Sequence, residues 1–172
     1  MYMPLQWKTF FVLILLLAAC SPAQPTATVT PGFTKPPTPI PVLADEELAE
    51  AVRQAQETLH IWRGEFLAPK RAYLMASLKI RFANKDGVED MWTEPLYILD
   101  DTYTVRMVEG VTLEKGIHPD RLVDVTLQDI VDWMLLEEDG TVIGGYTLRL
   151  EFNRLPPEQQ KRYLEVTGYK FE

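Results

Sequence analysis

Residues 132–150 read DWMLLEEDGTVIGGYTLRL, two apolar runs around Asp139-Gly140 with a double glycine, Gly144-Gly145, in the second. Asp-Gly between apolar runs is the strongest short-range signal for a two-residue type I′ hairpin turn. In that register Trp133 lies opposite Tyr146, Leu135 opposite Gly144 and Met134 opposite Gly145. Trp133, Leu135, Val142, Tyr146, Leu148 and Leu150 then share the core face. On the other face Asp132 sits opposite Thr147 and diagonal to Arg149, a surface ion pair worth little. A glycine in a strand leaves room for a neighbouring side chain, marks a bulge, or lets a ligand approach the backbone. Trp133, Gly144, Gly145 and Tyr146 are therefore candidate binding residues.

Working outward, Asp45 followed by Glu46-Glu47 reads as a helix N-cap with acidic residues in the first turn. Leu48, Val52, Ala55, Leu59, Trp62 and Phe66 recur at helical steps, which predicts an amphipathic helix of about five turns with Trp62 in the core. From Tyr73 the period shifts towards two. YLMASLKIRF, MWTEPLYIL and TYTVRMV, separated by turns at 84–87 and 100–101, predict successive antiparallel strands. Residues 109–120 read as a loop, 121–125 as a short strand, and Pro157 opens a final helix to about Val166. Trp92, flanked by Glu89, Asp90 and Glu94, joins the candidate binding residues.

Ahead of this domain, Lys8 precedes the apolar run Phe10 to Ala19, too short to span a bilayer and of the length of a signal-peptide core. Leu17-Ala18-Ala19-Cys20 resembles the lipobox of bacterial lipoproteins, which implies cleavage after residue 19 and diacylation of Cys20. Two acyl chains suffice for stable attachment, so the expectation is a chain anchored to a membrane. Ser21 to Leu43 holds seven prolines, five threonines and one charge, Lys35. It is expected to be an extended spacer of up to roughly 70 Å. The segment 45–172 is then a single domain. Loss of Lys8 leaves 16 basic side chains against 25 acidic, a balance of −9. That argues against nucleic acid as a partner.

Cys20 is the sole cysteine, so a lipidated chain has no thiol for catalysis, disulfides or metal. His60 and His118 form no zinc-binding spacing, and no cofactor motif is present. Ser77, the sole serine after the spacer, lacks a nucleophile elbow. Carboxylates of the Glu89 to Glu94 region could serve an acid/base pair acting on envelope glycans, although nothing in the sequence selects the pair.

Glu89-Asp90-Met91-Trp92, residues 129–134 (DIVDWM) and 144–149 (GGYTLR) resemble the bacterial domain of unknown function 2314, the YegJ-like proteins. The likeness extends to the first helix, to Leu155-Pro156-Pro157-Glu158-Gln159 and to Thr167-Gly168-Tyr169. Asp90 stands where a histidine is common in the family, and residues 109–119 lack its Gly-x-x-x-Asn-Pro pattern. The resemblance implies no activity, cofactor or catalytic residue. The expected fold is α+β: an N-terminal amphipathic helix and a short C-terminal helix on a curved antiparallel sheet, of which a small SH3-like barrel is one form. The expected role is a lipid-anchored cell-envelope module that binds a protein or cell-wall partner, held on the outer membrane if the organism has one. An envelope hydrolase and an inhibitor of a basic toxin are the alternatives.

Overall fold

Asp45 starts the first helix as the sequence predicts, its side chain accepting from the Leu48 amide at 3.1 Å. The computed structural model of the chain describes residues 33–34 and 45–171. The leader, Cys20 and the spacer apart from residues 33–34 lie outside the described residues. The elements in order are β1 (Phe33–Thr34), α1 (Glu46–Leu67), β2 (Tyr73–Asn84), β3 (Gly87–Leu99), β4 (Thr102–Met107), β5 (Leu122–Val125), a 3₁₀ turn (Leu127–Asp129), β6 (Ile130–Glu137), β7 (Thr141–Gly144), α2 (Tyr146–Asn153), α3 (Pro157–Thr167) and β8 (Lys170–Phe171).

The strands form one sheet of order β1-β5-β4-β3-β2-β6-β7-β8, antiparallel except for β1 on β5 and β7 on β8. It is open, with β1 and β8 at its edges, and does not close into a barrel. The architecture is α+β, as the sequence predicts. Among the described residues no helix is long and apolar enough to cross a membrane.

One sheet face is covered by α1. Ala55, Leu59 and Trp62 pack on Leu78, Ile80, Phe82, Val105, Ile130, Trp133 and Leu135. The loop between β4 and β5 adds Val111 and Ile117 to the same cluster. Trp62 stacks on Phe66 at 4.8 Å between ring centroids. Burying side chains of this size contributes about 1.5–3 kcal/mol each, and this face is the main core. The opposite face carries a smaller cluster of Met134, Leu136, Val142 and Leu148, closed over by Tyr163, Tyr169 and Phe171 from the C-terminal segment.

The 132–150 stretch departs from the two-residue hairpin. Met134 pairs with Gly144, Leu135 with Ile143 and Leu136 with Val142, one residue away from the expected register. The loop is three residues long: the Gly140 amide donates to the Glu137 carbonyl at 3.0 Å, and Gly140 has φ +93°. A hairpin loop with glycine in a positive-φ bulge is the next most common solution after the two-residue turns. Because strand side chains alternate, the one-residue shift moves Val142 to the face of Met134 and Leu136, and brings Ile143 to the main core. Tyr146 onward is also not a strand. Gly145 (φ 66°, ψ 43°) ends the extended backbone and α2 begins. The Asp132–Arg149 surface pair gives way to a different arrangement: Asp132 is fully buried, and Arg149 donates to the Gly144 carbonyl at 2.8 Å and to the Val142 carbonyl at 2.5 Å.

A second irregularity shapes the sheet. The β2–β3 ladder runs from Asn84 and Gly87 to Leu78 and Thr93 and stops there. Beyond that point β2 stays paired with β6 as far as Tyr73, and β3 with β4 as far as Leu99. The sheet therefore forks. Continuing the register would set Pro95 opposite Ala76, and proline has no N–H to donate across the ladder. The Thr93 hydroxyl closes the base of the fork by donating to the Leu78 carbonyl at 2.9 Å.

Candidate functional site

A cavity of about 870 Å³ occupies the fork. Strand alternation explains its lining. Met75 and Ser77 from β2, and Asp90, Trp92 and Glu94 from β3, lie on the face opposite α1. Tyr163 and Tyr169 close over this face together with Met134, Leu148 and Glu151. Through the gap the cavity reaches Phe66 of α1 and Val108. Burial pushes the Tyr163 hydroxyl above the usual phenol range, with neighbouring Tyr169 and Glu151 acting in the same direction. Burial alone pushes up Tyr169. Both stay neutral, so each is a hydrogen-bond donor at the end of an apolar ring.

The charged groups around the cavity are tied into place. Arg81 grips Asp90 through two bonds, Nε to Oδ1 at 2.7 Å and Nη2 to Oδ2 at 2.6 Å. Its third nitrogen, Nη1, is buried with no hydrogen-bond partner among the described residues. Lys79, also buried, donates to the Thr147 hydroxyl at 3.2 Å and to Glu151 at 2.7 Å, with its Nζ 5.7 Å from the centre of the Trp92 ring. Glu94 meets Arg106 at 3.3 Å on the surface.

Of the candidate binding residues read from the sequence, Trp92 lines this cavity; Trp133, Gly144, Gly145 and Tyr146 sit together elsewhere. Trp133 is 1 % exposed, and its Nε1 donates to the Ala55 carbonyl at 2.9 Å and to the Thr58 hydroxyl at 3.2 Å. It touches Tyr146 edge-on at 6.0 Å. The expected contact thus forms, through the first residue of α2 instead of a strand pair. A Cβ on Gly144 would meet the Trp133 carbonyl at 2.5 Å and its ring at 2.6 Å, so this glycine makes room for the tryptophan. Gly145 donates its amide to the same carbonyl at 2.7 Å.

Glu89, Asp90 and Glu94 do not converge. Glu89 points to the α1 face, where it accepts from the Thr112 amide and hydroxyl and from the Leu113 amide. Asp90 and Glu94 share a face of β3 four residues apart, about 13 Å along a strand. Paired glycosidase carboxylates stand roughly 5–9.5 Å apart. Ser77 is buried, whereas His60 and His118 are exposed on α1 and in the β4–β5 loop. Among the described residues no group of three or more His, Cys, Asp and Glu could hold a metal ion.

Met75, Tyr163, Tyr169 and Glu151 were not singled out by reading the sequence. The usable signal was Pro95, since proline inside a central strand interrupts a ladder and opens the space that these residues line.

The structure thus defines a small α+β domain with a forked, largely antiparallel sheet and an aromatic cavity in the fork. The chain belongs to the bacterial family of domain of unknown function 2314, described as an uncharacterized protein conserved in bacteria, whose model matches residues 45–171. No curated protein and no solved structure matches the chain.

Proposed function

We propose that the protein is a lipid-anchored, non-catalytic binding module of the cell envelope, and that its partner seats in the cavity between β2 and β3. The observation that carries this reading is the cavity itself. It has the volume and the mixture of aromatic walls and sparse polar groups of a ligand site. Asp90, Glu94 and Glu151 are engaged with Arg81, Arg106 and Lys79, and Glu89 with backbone amides, which favours binding over acid/base chemistry. The anchor rests on the Cys20 lipobox; within the spacer Phe33–Thr34 pairs with β5, and α1 is capped at Asp45. That is the opposite end of the 22-residue α1 from Phe66, about 33 Å away at the helical rise.

Two measurements test it. Membrane fractionation of Cys20→Ala should release the protein, and unchanged retention would remove the anchor. A photo-crosslinking amino acid at Met75, in the cavity, should give a discrete and saturable product in cells, whereas the same group at Lys85, on the β2–β3 turn, should not. Identical patterns at the two positions would sink the cavity as the binding site.

A further inference from the structure

We infer that the cavity's occupant is an extended basic segment of another protein, which adds as a strand to the free edge of β2 at Ala76 and lays a lysine or arginine side chain against the aromatic wall. The inference rests on the binding-module reading above and specifies its ligand.

The backbone argument starts from Leu78, whose carbonyl is turned into the fork to accept from Thr93. Residues two apart on a strand turn their hydrogen-bonding groups the same way, so the N–H and carbonyl of Ala76 face the gap. Across the gap stands Pro95, with no N–H to offer. An incoming peptide backbone supplies both the donor and the acceptor that β3 does not. Leu74, Met75 and Val108 around the opening are 64 %, 38 % and 61 % exposed. Apolar side chains beside an open strand edge are a liability unless a partner covers them.

Charge selects the partner. Asp90, Glu94, Glu109 and Glu151 line the cavity, and among the described residues no Lys, Arg or His does. Arg81, Lys79 and Arg106 offset three of these carboxylates from outside the lining, while Glu109 has no ion pair or hydrogen bond among the described residues. The rings of Tyr163 and Tyr169 line the cavity and are of the kind that hold cationic side chains, while Trp92 already carries the Lys79 Nζ 5.7 Å from its ring centre. Competing occupants fit less well. The chain's own spacer already pairs with β5 through Phe33–Thr34, is otherwise rich in proline, which cannot donate to a ladder, and has one basic residue, Lys35. A second copy of this acidic chain would bring like charge.

The test is fluorescence anisotropy of a labelled peptide of about six residues, the usual strand length, with valine and lysine alternating. It is titrated with the full chain in detergent. Two counterparts are run beside it, one with glutamate for lysine and one N-methylated at alternate residues. The lysine peptide should saturate and weaken with salt, and the glutamate peptide should not bind. N-methylation should cost about tenfold or more, and Glu109→Gln should weaken binding about threefold. Equal binding of the glutamate or the N-methylated peptide overturns the inference. Failure of the lysine peptide while the crosslinker at Met75 still captures a partner also overturns it, and leaves the binding-module reading standing. Loss of both signals removes both.

Discussion

Asp132 of β6 caps a helix that begins fourteen residues later: its Oδ2 accepts the Thr147 amide at 2.8 Å and the Thr147 hydroxyl at 2.7 Å. Its Oδ1 takes the amides of Tyr146 at 3.0 Å and of Trp133 at 2.8 Å. β7 ends at Gly144, opposite Met134, so α2 takes over beside the first half of β6 and Asp132 satisfies its leading N–H groups.

Asp132→Ala should therefore destabilise the domain by about 2–3 kcal/mol, because buried amides lose their acceptor along with a helix cap. Urea denaturation measures it. Thr147→Val should cost less, since it removes the hydroxyl and leaves the amide bond. A loss at Thr147 equal to that at Asp132 would contradict the capping role.

Two glycine substitutions should move in opposite directions. Gly144→Ala brings a methyl group into the Trp133 backbone and ring at φ +75° and should cost about 2 kcal/mol or more. Gly64→Ala, within α1 and with nothing within 4 Å of the new Cβ, should stabilise by about 0.5–1 kcal/mol. Thermal melts of the two variants against wild type decide the matter, and the same sign for both would refute it.

The Arg81–Asp90 pair supplies a third test. Removing Asp90 alone, as Asp90→Ala, leaves a guanidinium that is 2 % exposed without its partner, and should cost about 3–5 kcal/mol. Replacing both residues with apolar ones, Arg81→Met with Asp90→Leu, should recover most of that loss. A double variant no better than the single one would mean that the pair stabilises in its own right.

The pH dependence has two opposing parts. Burial raises the Glu89 carboxyl, but the Thr112 hydroxyl and the amides of Leu113 and Thr112 outweigh it and hold the group below its ordinary value of 4.5. The stability from Glu89 is therefore complete above that value and is lost as pH falls through the lower folded value. The urea-midpoint gap between wild type and Glu89→Gln should narrow on going from about pH 7 to about pH 3. A constant gap would contradict the shift. Asp132 runs the other way: burial pushes it above 3.8 despite bonds from the Thr147 hydroxyl and the neighbouring amides. Its protonated form is favoured on folding, so its contribution falls as pH rises from that value through the folded one.

Much of the fold was legible locally. The Asp45 cap, the apolar stripe ending in Trp62 and Phe66, the strands from Tyr73 to Met107 and the Pro157 helix start all follow from side-chain periodicity and capping chemistry, which act within a few residues. Trp92 was legible as a candidate for the same reason, as an aromatic among acidic residues on a strand. The rest of the cavity was not, because Tyr163 and Tyr169 reach it only when the C-terminal segment folds over β6 and β7.

The sequence by itself determined an acidic α+β chain, the first helix starting at Asp45, the order of strands β2 to β6, and the contact between Trp133 and the start of the Gly-Gly-Tyr segment, but not β1, which lies within the stretch read as spacer. Tertiary structure alone decided that residues 146–153 are helical. Their alternating Tyr-Leu-Leu-Phe pattern suits a strand, and the carboxylate that reverses this preference lies far back in the chain, on β6. Tertiary structure also decided the fork, since the effect of Pro95 depends on standing opposite Ala76. Both outcomes come from hydrogen-bond partners distant in sequence, which no local pattern encodes.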